Sequence, residues 1–334
     1  MKILRLESTE PYWNLALEEH LLLSRDNGDY LLLWQNANTI VVGLHQNTRE
    51  EINQAFVDER QVRVVRRRSG GGAVYHDLGN LNFSFITARS QADANAMRRF
   101  TLPVVRALRG LGLAAQADGR NDITVNGLKV SGNAQALHEK RILHHGTLLF
   151  AADLGLLSQA LRVNPAKFAS KSVKSVRSRV GNIRDFLPPA LAGGFNTDSL
   201  AQTLLREMER ECGGKLEELR LTAEDLQATS ALRESKYLTR KWNYGRSPNC
   251  NFRNQRKYGG GFLEALLDIR RDRIASCRFY GDFLSLRPAA EVEALLAGTA
   301  YERESVAARL RSLPLAEYFG AISLEEVLDC LFNP

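Results

Sequence analysis

Arg66-Arg67-Arg68-Ser69-Gly70-Gly71-Gly72-Ala73-Val74-Tyr75-His76-Asp77 places three guanidinium groups one serine before three consecutive glycines, followed by an apolar step and a histidine. Cationic donors, backbone that tolerates close approach and a polar anchor therefore fall within one short stretch. The combination suits a ligand with an anionic head and an apolar tail, but the same residues also make an ordinary hairpin corner. The flanking residues narrow the choice. Val62, Val64 and Val65 predict a strand leading into the run, and Leu81 to Thr87, with Phe83 and Phe85 alternating, predicts another after a Gly79-Asn80 turn. A glycine run between strands lacks the following helix whose N-terminal amides hold a phosphate, and neither G-x-G-x-x-G nor G-K-[ST] occurs. Rossmann and Walker sites are excluded, so an anion here would be held by loop amides and arginine.

Upstream, Pro11 and Asn14 open a predicted helix through Leu15, Leu17, Glu18 and Leu21 to Leu23, apolar on one side and acidic on the other. Tyr30 to Trp34 and Thr39 to Leu44 read as strands, with Asn36-Ala37-Asn38 as a hairpin turn between them, and a short helix is expected near Glu51 to Glu59. Downstream, an amphipathic helix is predicted to start near Pro103, as its first-turn proline, and to stop at Gly110 and Gly112. Gly119-Arg120-Asn121-Asp122 then precedes Ile123-Thr124-Val125, and Asn126-Gly127 marks a type I′ turn before Leu128-Lys129-Val130-Ser131-Gly132. Lys129 is either a solvated strand position or a fixed cation reaching into a pocket. Asp122 with Asn121 could hold Mg²⁺ through oxygen, or simply form an Asx turn. His144-His145-Gly146-Thr147 opens a strand to Phe150; adjacent strand positions face opposite ways, so the two histidines cannot share one metal in the usual manner.

With 334 residues, 44% hydrophobic and 25% charged, the chain has enough material for two domains. No apolar run reaches membrane-spanning length and the acidic N-terminus is unlike a signal peptide, so a cytoplasmic protein with no membrane partner is expected. Cys212, Cys250, Cys277 and Cys330 are widely spaced, against a zinc or disulfide framework, and leave no thiol nucleophile near the glycine run. The net charge of +7 fits nucleic acid or an acidic protein. Aromatic residues are not interleaved with the basic ones as base stacking requires, so no nucleic-acid partner is expected. Lys167, Lys171, Lys174, Arg177 and Arg179 form a basic stretch that reads as a solvated loop. Loss of apolar periodicity between Arg246 and Arg256 sets domains at residues 1–246 and 253–334. The second has strand-like Phe262 to Ile269 and Ile274 to Tyr280 about an Arg271-Asp272 turn, helices at Ala290 to Ala297 and Leu324 to Leu328, and no chemical motif.

Taken together, the Arg66 to Asp77 run, Gly119-Arg120-Asn121-Asp122, Lys129-Val130-Ser131-Gly132, His144-His145-Gly146-Thr147, Ser175-Val176-Arg177-Ser178-Arg179-Val180 and Trp242-Asn243-Tyr244-Gly245 resemble lipoate–protein ligases in order and spacing. The resemblance extends over essentially the whole chain. It implies an α+β fold: a mixed, largely antiparallel sheet with flanking helices, related to biotin ligases, plus a small α/β C-terminal accessory domain. It also implies a two-step reaction with ATP and lipoate as substrates and Mg²⁺ as cofactor, in which lipoyl-adenylate forms and its acyl group passes to a lysine. The implied acceptors are lipoyl domains of 2-oxoacid dehydrogenase E2 subunits and the glycine cleavage H protein. By the resemblance, Lys129 is catalytic and touches both substrates, while Arg67, Gly72, Ala73, Val74 and Tyr75 hold ATP, with Arg68 a secondary candidate. Asn121 and Asp122 take the nucleotide side, Asp122 being the metal candidate. Gly71, His76, His145 and Gly146 line the lipoate tunnel with Lys129, and Leu15, Val74 and Leu148 could supply its apolar groove. The basic stretch at Lys167 to Arg179 resembles a loop near the adenylate. Two departures stand out: Arg68 occupies a position where a small polar residue is expected, and Tyr75 replaces a common phenylalanine. An octanoyltransferase working without ATP shares the scaffold, but the arginine-rich run, the C-terminal extension and the missing cysteine count against it. The net charge alone would also fit a non-catalytic lipoate- or nucleic-acid-binding protein.

Overall fold

The protein is described by a computed structural model covering residues 1–25, 27–89, 96–161, 180–245 and 250–333. Its N-terminal part runs β1 (Lys2–Arg5), α1 (Pro11–Ser24), β2 (Tyr30–Trp34), β3 (Thr39–Val42), α2 (Thr48–Glu51), α3 (Gln54–Glu59), β4 (Arg63–Arg66), β5 (Val74–His76), β6 (Asn80–Ala88) and α4 (Ala96–Gly110). It continues through β7 (Ala115–Asp118), β8 (Asp122–Val125), β9 (Leu128–His138), β10 (Arg141–Leu149), α5 (Leu154–Ala160), α6 (Pro189–Ala192), α7 (Thr197–Cys212), β11 (Glu217–Glu218), α8 (Ala223–Leu232) and α9 (Arg240–Tyr244). The C-terminal part comprises β12 (Phe252–Tyr258), β13 (Gly261–Arg270), β14 (Arg273–Gly281), α10 (Ala290–Leu296), α11 (Arg303–Arg311), α12 (Leu315–Phe319) and α13 (Leu324–Phe332).

The large sheet has the order β11-β1-β2-β6-β10-β9-β8-β7. It is parallel at β11-β1-β2 and antiparallel from β2 onward, which makes the fold α+β with a mixed, largely antiparallel sheet. One face packs under α4 and α7 through Phe83, Phe85, Phe100, Val104 and Leu108, and the other receives α1 through Leu15, Leu22 and Trp34. A small sheet, β4-β3-β5, holds the ends of the arginine and glycine run, since β4 ends at Arg66 and β5 starts at Val74. A separate core of Leu263, Phe279, Phe283, Val306, Phe319 and Leu328 holds β12-β13-β14 and the last four helices together.

Turn chemistry placed two of the three expected hairpins. Asn126 and Gly127 take φ of 50° and 78°, and Arg271 and Asp272 take 50° and 56°, the left-handed pair that a type I′ turn needs. The expected β2–β3 hairpin is not formed, because β2 pairs with β1 and β6 while β3 pairs with β4 and β5. Asn36 lies fully buried at this crossing, where its side chain bonds to Asn14 and His76 instead of closing a local turn. The helix expected from Pro103 begins at Ala96, with the proline in its interior. Burial of the Phe100, Val104 and Leu108 stripe offsets the missing proline N–H. The Glu51–Glu59 helix is two helices, divided where the Asn53 side chain caps α3 at Phe56 N. The acidic side of α1 is not solvated: Glu18 and Glu19 are 2% and 3% exposed, each held by partners. Finally, α11 and α12 went unforeseen: the charged composition of α11 masks its short apolar stripe of Val306, Ala307 and Leu310, and α12 is only five residues long.

Candidate active site

Strand register lays out a cavity across the α1 face of the large sheet. Trp34 on β2 opposes Asn82 on β6, Asn82 opposes Thr147 on β10, and the neighbouring Gly146 opposes Asn133 on β9, which brings Gly132 beside Thr147. Residues opposite one another share a face, so Trp34, Asn82 and Thr147 form one row. All three line the cavity, together with Gly132 and Lys129. Three inter-strand gaps make that row about 14 Å long, from a cationic end at Lys129 to an aromatic end at Trp34. Leu15, Val41, Ala73 and Val74 supply apolar wall between them.

At the cationic end, Lys129 Nζ lies 2.7 Å from Asp122 Oδ1 across the β8–β9 hairpin, both side chains about one-third exposed. A Cβ at residue 132 would meet Lys129 Nζ at 3.0 Å, so glycine there leaves room for the lysine to fold along the strand. Asn121 also lines the cavity; its side-chain N–H groups donate to Asn133 O at 2.6 Å, and its own carbonyl accepts from Asn133. Among the described residues no cluster of three His, Cys, Asp or Glu is arranged to hold a metal. Asp122 offers one carboxylate, enough to share a hard cation with oxygen ligands from outside the protein but not to hold one alone.

The glycine run roofs the cavity, and a buried network holds it. Arg67 is 7% exposed and donates to Ser69 Oγ, Val41 O, Gly70 O and Gly72 O at 2.6–3.3 Å. Burial lowers its guanidinium to about 10, leaving it charged at neutral pH. Ser69 Oγ in turn donates to His145 Nε2 at 2.6 Å, and His145 Nδ1–H donates to Glu18 at 2.9 Å. The carboxylate also accepts from Ser84, which accepts from Trp34 Nε1. This chain locks His145 as a wall with both ring nitrogens used. His144 faces the opposite way, stacked on Phe100 at 4.9 Å with its nitrogens bonded to Gln135 and Asn133, as the strand alternation requires.

Of the residues singled out in the sequence, the cavity brings together Arg67, Gly71, Gly72, Ala73, Val74, His76, Asn121, Lys129, His145 and Gly146. It does not bring in three others. Arg68 turns away to pair with Glu19 at 2.7 Å. Tyr75, next to Val74 on β5, points to the other side and donates to Asn38 at 3.0 Å. Leu148 follows Thr147 and so lies on the α4 face, within that core. Asp122 reaches the cavity only through Lys129. The basic stretch from Lys167 to Arg179 lies outside the described residues. Glu18, Trp34, Ser69 and Asn82 were not anticipated as site residues; Trp34 and Asn82 emerge only from cross-strand register. None of the four cysteines lines the cavity.

Residues 10–209 match the lipoyl protein ligase A/B catalytic domain, and residues 247–331 match the bacterial lipoate protein ligase C-terminus. The lipoate-protein ligase LplJ of Bacillus subtilis is 41% identical over 97% of this chain and 97% of its own length. The chain belongs to the lipoate–protein ligase family. Among solved ligases, a bi-partite lipoate protein ligase from Thermoplasma acidophilum, reported with its E2 lipoyl domain, superposes with a TM-score of 0.66 at 30% identity. It covers 75% of this chain and 98% of its own. A lipoate-protein ligase A bound with ATP superposes at 0.64 and 28% identity, over 73% of this chain and 98% of that one.

Proposed function

We propose that this ligase joins lipoate to protein in two steps at the cavity beneath the glycine run, with residues 1–246 as the catalytic unit and 253–334 as an accessory unit. Lipoate's carboxylate attacks the α-phosphorus of ATP, pyrophosphate leaves, and lipoyl-adenylate forms. The ε-amine of an acceptor lysine then attacks the activated carbonyl, forming an amide and releasing AMP. The acceptors are lipoyl domains of 2-oxoacid dehydrogenase E2 subunits and the glycine cleavage H protein.

The observation that carries this reading is the cavity's polarity: Lys129 at one end and Trp34 at the other, with Leu15, Val41, Ala73 and Val74 lining it between them. A medium-chain acid fits with its carboxylate at Lys129. There the ammonium neutralises charge on the carboxylate and on the α-phosphate as they meet, a stabilisation worth most in the transition state. Mg²⁺, held by Asp122 and the phosphates, would neutralise further charge on the nucleotide. Gly72, where a Cβ would meet nothing within 4 Å, leaves space over the cavity for the nucleotide. With no cysteine at the cavity, activation by ATP is favoured over a thioester route. The relatives crystallised with ATP and studied with an E2 lipoyl domain support both substrate assignments.

Lipoate-dependent exchange of labelled pyrophosphate into ATP tests the first step. The wild type is expected to exchange label only when lipoate and Mg²⁺ are present. Lys129→Ala should lower the rate by about 10²–10³-fold, the scale for removing one charge-stabilising group, without lowering the thermal midpoint. Exchange that proceeds equally without lipoate would refute the assignment.

A further inference from the structure

Between the start of the glycine run and β14 lies a second cleft, of about 490 Å³, which shares no lining residue with the cavity that holds Lys129. Five cationic side chains line it: Arg66 and Arg68 at the end of β4 and just beyond, Lys236 and Lys241 before and within α9, and Arg278 on β14. Two carboxylates answer them. Glu19 is shared by Arg68 and Lys236 at 2.7 and 2.6 Å, and Glu293 pairs with Arg278 at 2.6 Å. Arg66 is 6% exposed and directs its donors to main-chain oxygens and the Thr48 hydroxyl, none of them charged. Lys241 is exposed and has no carboxylate partner among the described residues. The cleft therefore carries an excess of three positive charges. His45, lowered to about 3 by burial and by Arg66, adds none at neutral pH.

Gln46 lines the same cleft and is 1% exposed. Its Oε1 accepts from Gly43 N at 2.8 Å, which sets the amide orientation, and its Nε2 has no partner among the described residues. A buried N–H left unpaired is costly. This one belongs to a residue whose main-chain oxygen accepts from Arg66 Nη1 at 2.7 Å, so the orphaned donor and the uncompensated guanidinium share one corner. An anion would relieve both, and a concave, partly buried cleft concentrates the field that draws one in.

We infer that this cleft is a second ligand site, which takes a compact oligophosphate, free or carried on a nucleotide, with Lys241 and Arg278 as charged contacts at its mouth and Gln46 at its floor. The cations arrive from three separate segments, an arrangement that suits the outward-pointing oxygens of phosphate groups. Each phosphate brings about two charges and three acceptor oxygens into a small volume. An acidic peptide would have to bring one side chain for every charge. An anion held by Lys241 and Arg278 together would also tie α9 to β14, across the contact between the two parts of the chain. None of this depends on what the Lys129 cavity does.

Calorimetric titration with inorganic triphosphate at low salt, where screening is least, tests the site in wild type, Lys241→Ala, Gln46→Glu and Lys129→Ala. Gln46→Glu keeps an acceptor for Gly43 N and sets an anionic oxygen where the orphaned donor stood. Lys241→Ala should weaken binding about tenfold, the scale of one charge-assisted hydrogen bond. Gln46→Glu should weaken it further, while Lys129→Ala, which alters only the other cavity, should leave it unchanged. In the wild type the side-chain amide resonances of Gln46 should shift on binding, a readout that needs no variant to fold. Titrating ATP alongside separates the two sources: tighter Lys241-dependent binding of ATP assigns the phosphates to a nucleotide, and equal or weaker binding assigns a free oligophosphate. No binding of triphosphate, loss of binding in Lys129→Ala alone, a Gln46 amide that does not shift, or hexaglutamate bound as tightly as triphosphate would each overturn the inference. Lipoate-dependent exchange in the same wild-type sample reports separately on the ligase reading.

Discussion

Buried histidines link the site's residues to the protein's response to acid. Burial lowers His45 and His76 to about 3, with Arg66 adding to the effect on His45, and it lowers His144 as well, aided by His145. In the unfolded chain each titrates near 6.5, so below that pH the unfolded state binds protons that the folded state refuses. Stability is therefore full above about pH 6.5 and declines towards pH 3, with a limiting slope of about 1.4 kcal/mol per pH unit for each histidine. Differential scanning at pH 7 and pH 5 should show a lower midpoint at pH 5, and equal midpoints would contradict the neutral, buried assignment. At this scale the sequence disclosed Lys129 and the glycine run, because charge and glycine are unusual where they stand. Ser69, Glu18 and Asn36 were not legible, since their roles come from partners 76, 127 and 40 positions away.

Among the elements, α1 shows how the apolar period can be read correctly and the polar face misjudged. Its Glu19 is held by Lys236 at 2.6 Å, Arg68 at 2.7 Å and the Tyr237 hydroxyl at 2.6 Å, which ties α1 to the segment after α8. Burial on its own would raise this carboxyl, but Lys236 first, then Tyr237 and Arg68, hold it below the ordinary value. Lys236→Met removes the main counter-ion from a buried carboxylate and should cost about 3 kcal/mol. A drop of several degrees in thermal midpoint at pH 7 checks this; a change within error would show that Arg68 suffices. The hairpins were legible because Asn-Gly and Arg-Asp turns impose their own geometry. The β2–β3 crossing was not, because a turn-forming asparagine there serves tertiary partners instead.

Over the whole molecule, the C-terminal part rests on the glycine run. Gly71 N donates to Phe283 O at 3.1 Å, Gly281 N donates to His45 O at 2.9 Å, and His45 stacks on Phe283 while bonding to Ser285 at 2.8 Å. A Cβ at residue 70 would meet Phe283 O at 2.7 Å and Ser285 N at 2.8 Å, main-chain atoms with little freedom to move. Gly70→Ala should therefore lift the C-terminal segment off the run and speed hydrogen exchange of the Gly71 amide about tenfold or more; unchanged exchange would mean the contact adapts without separating. Length and composition suggest two domains, and the surfaces that meet here are joined by contacts more than two hundred residues apart. The central claim concerns how the substrate lies in the cavity beneath this contact. It is tested most directly by a crystal structure with a non-hydrolysable lipoyl-adenylate analogue. The carbonyl should lie against Lys129 and the dithiolane against Trp34 and His76; a ring found at Lys129, or an analogue bound outside this cavity, would contradict the account.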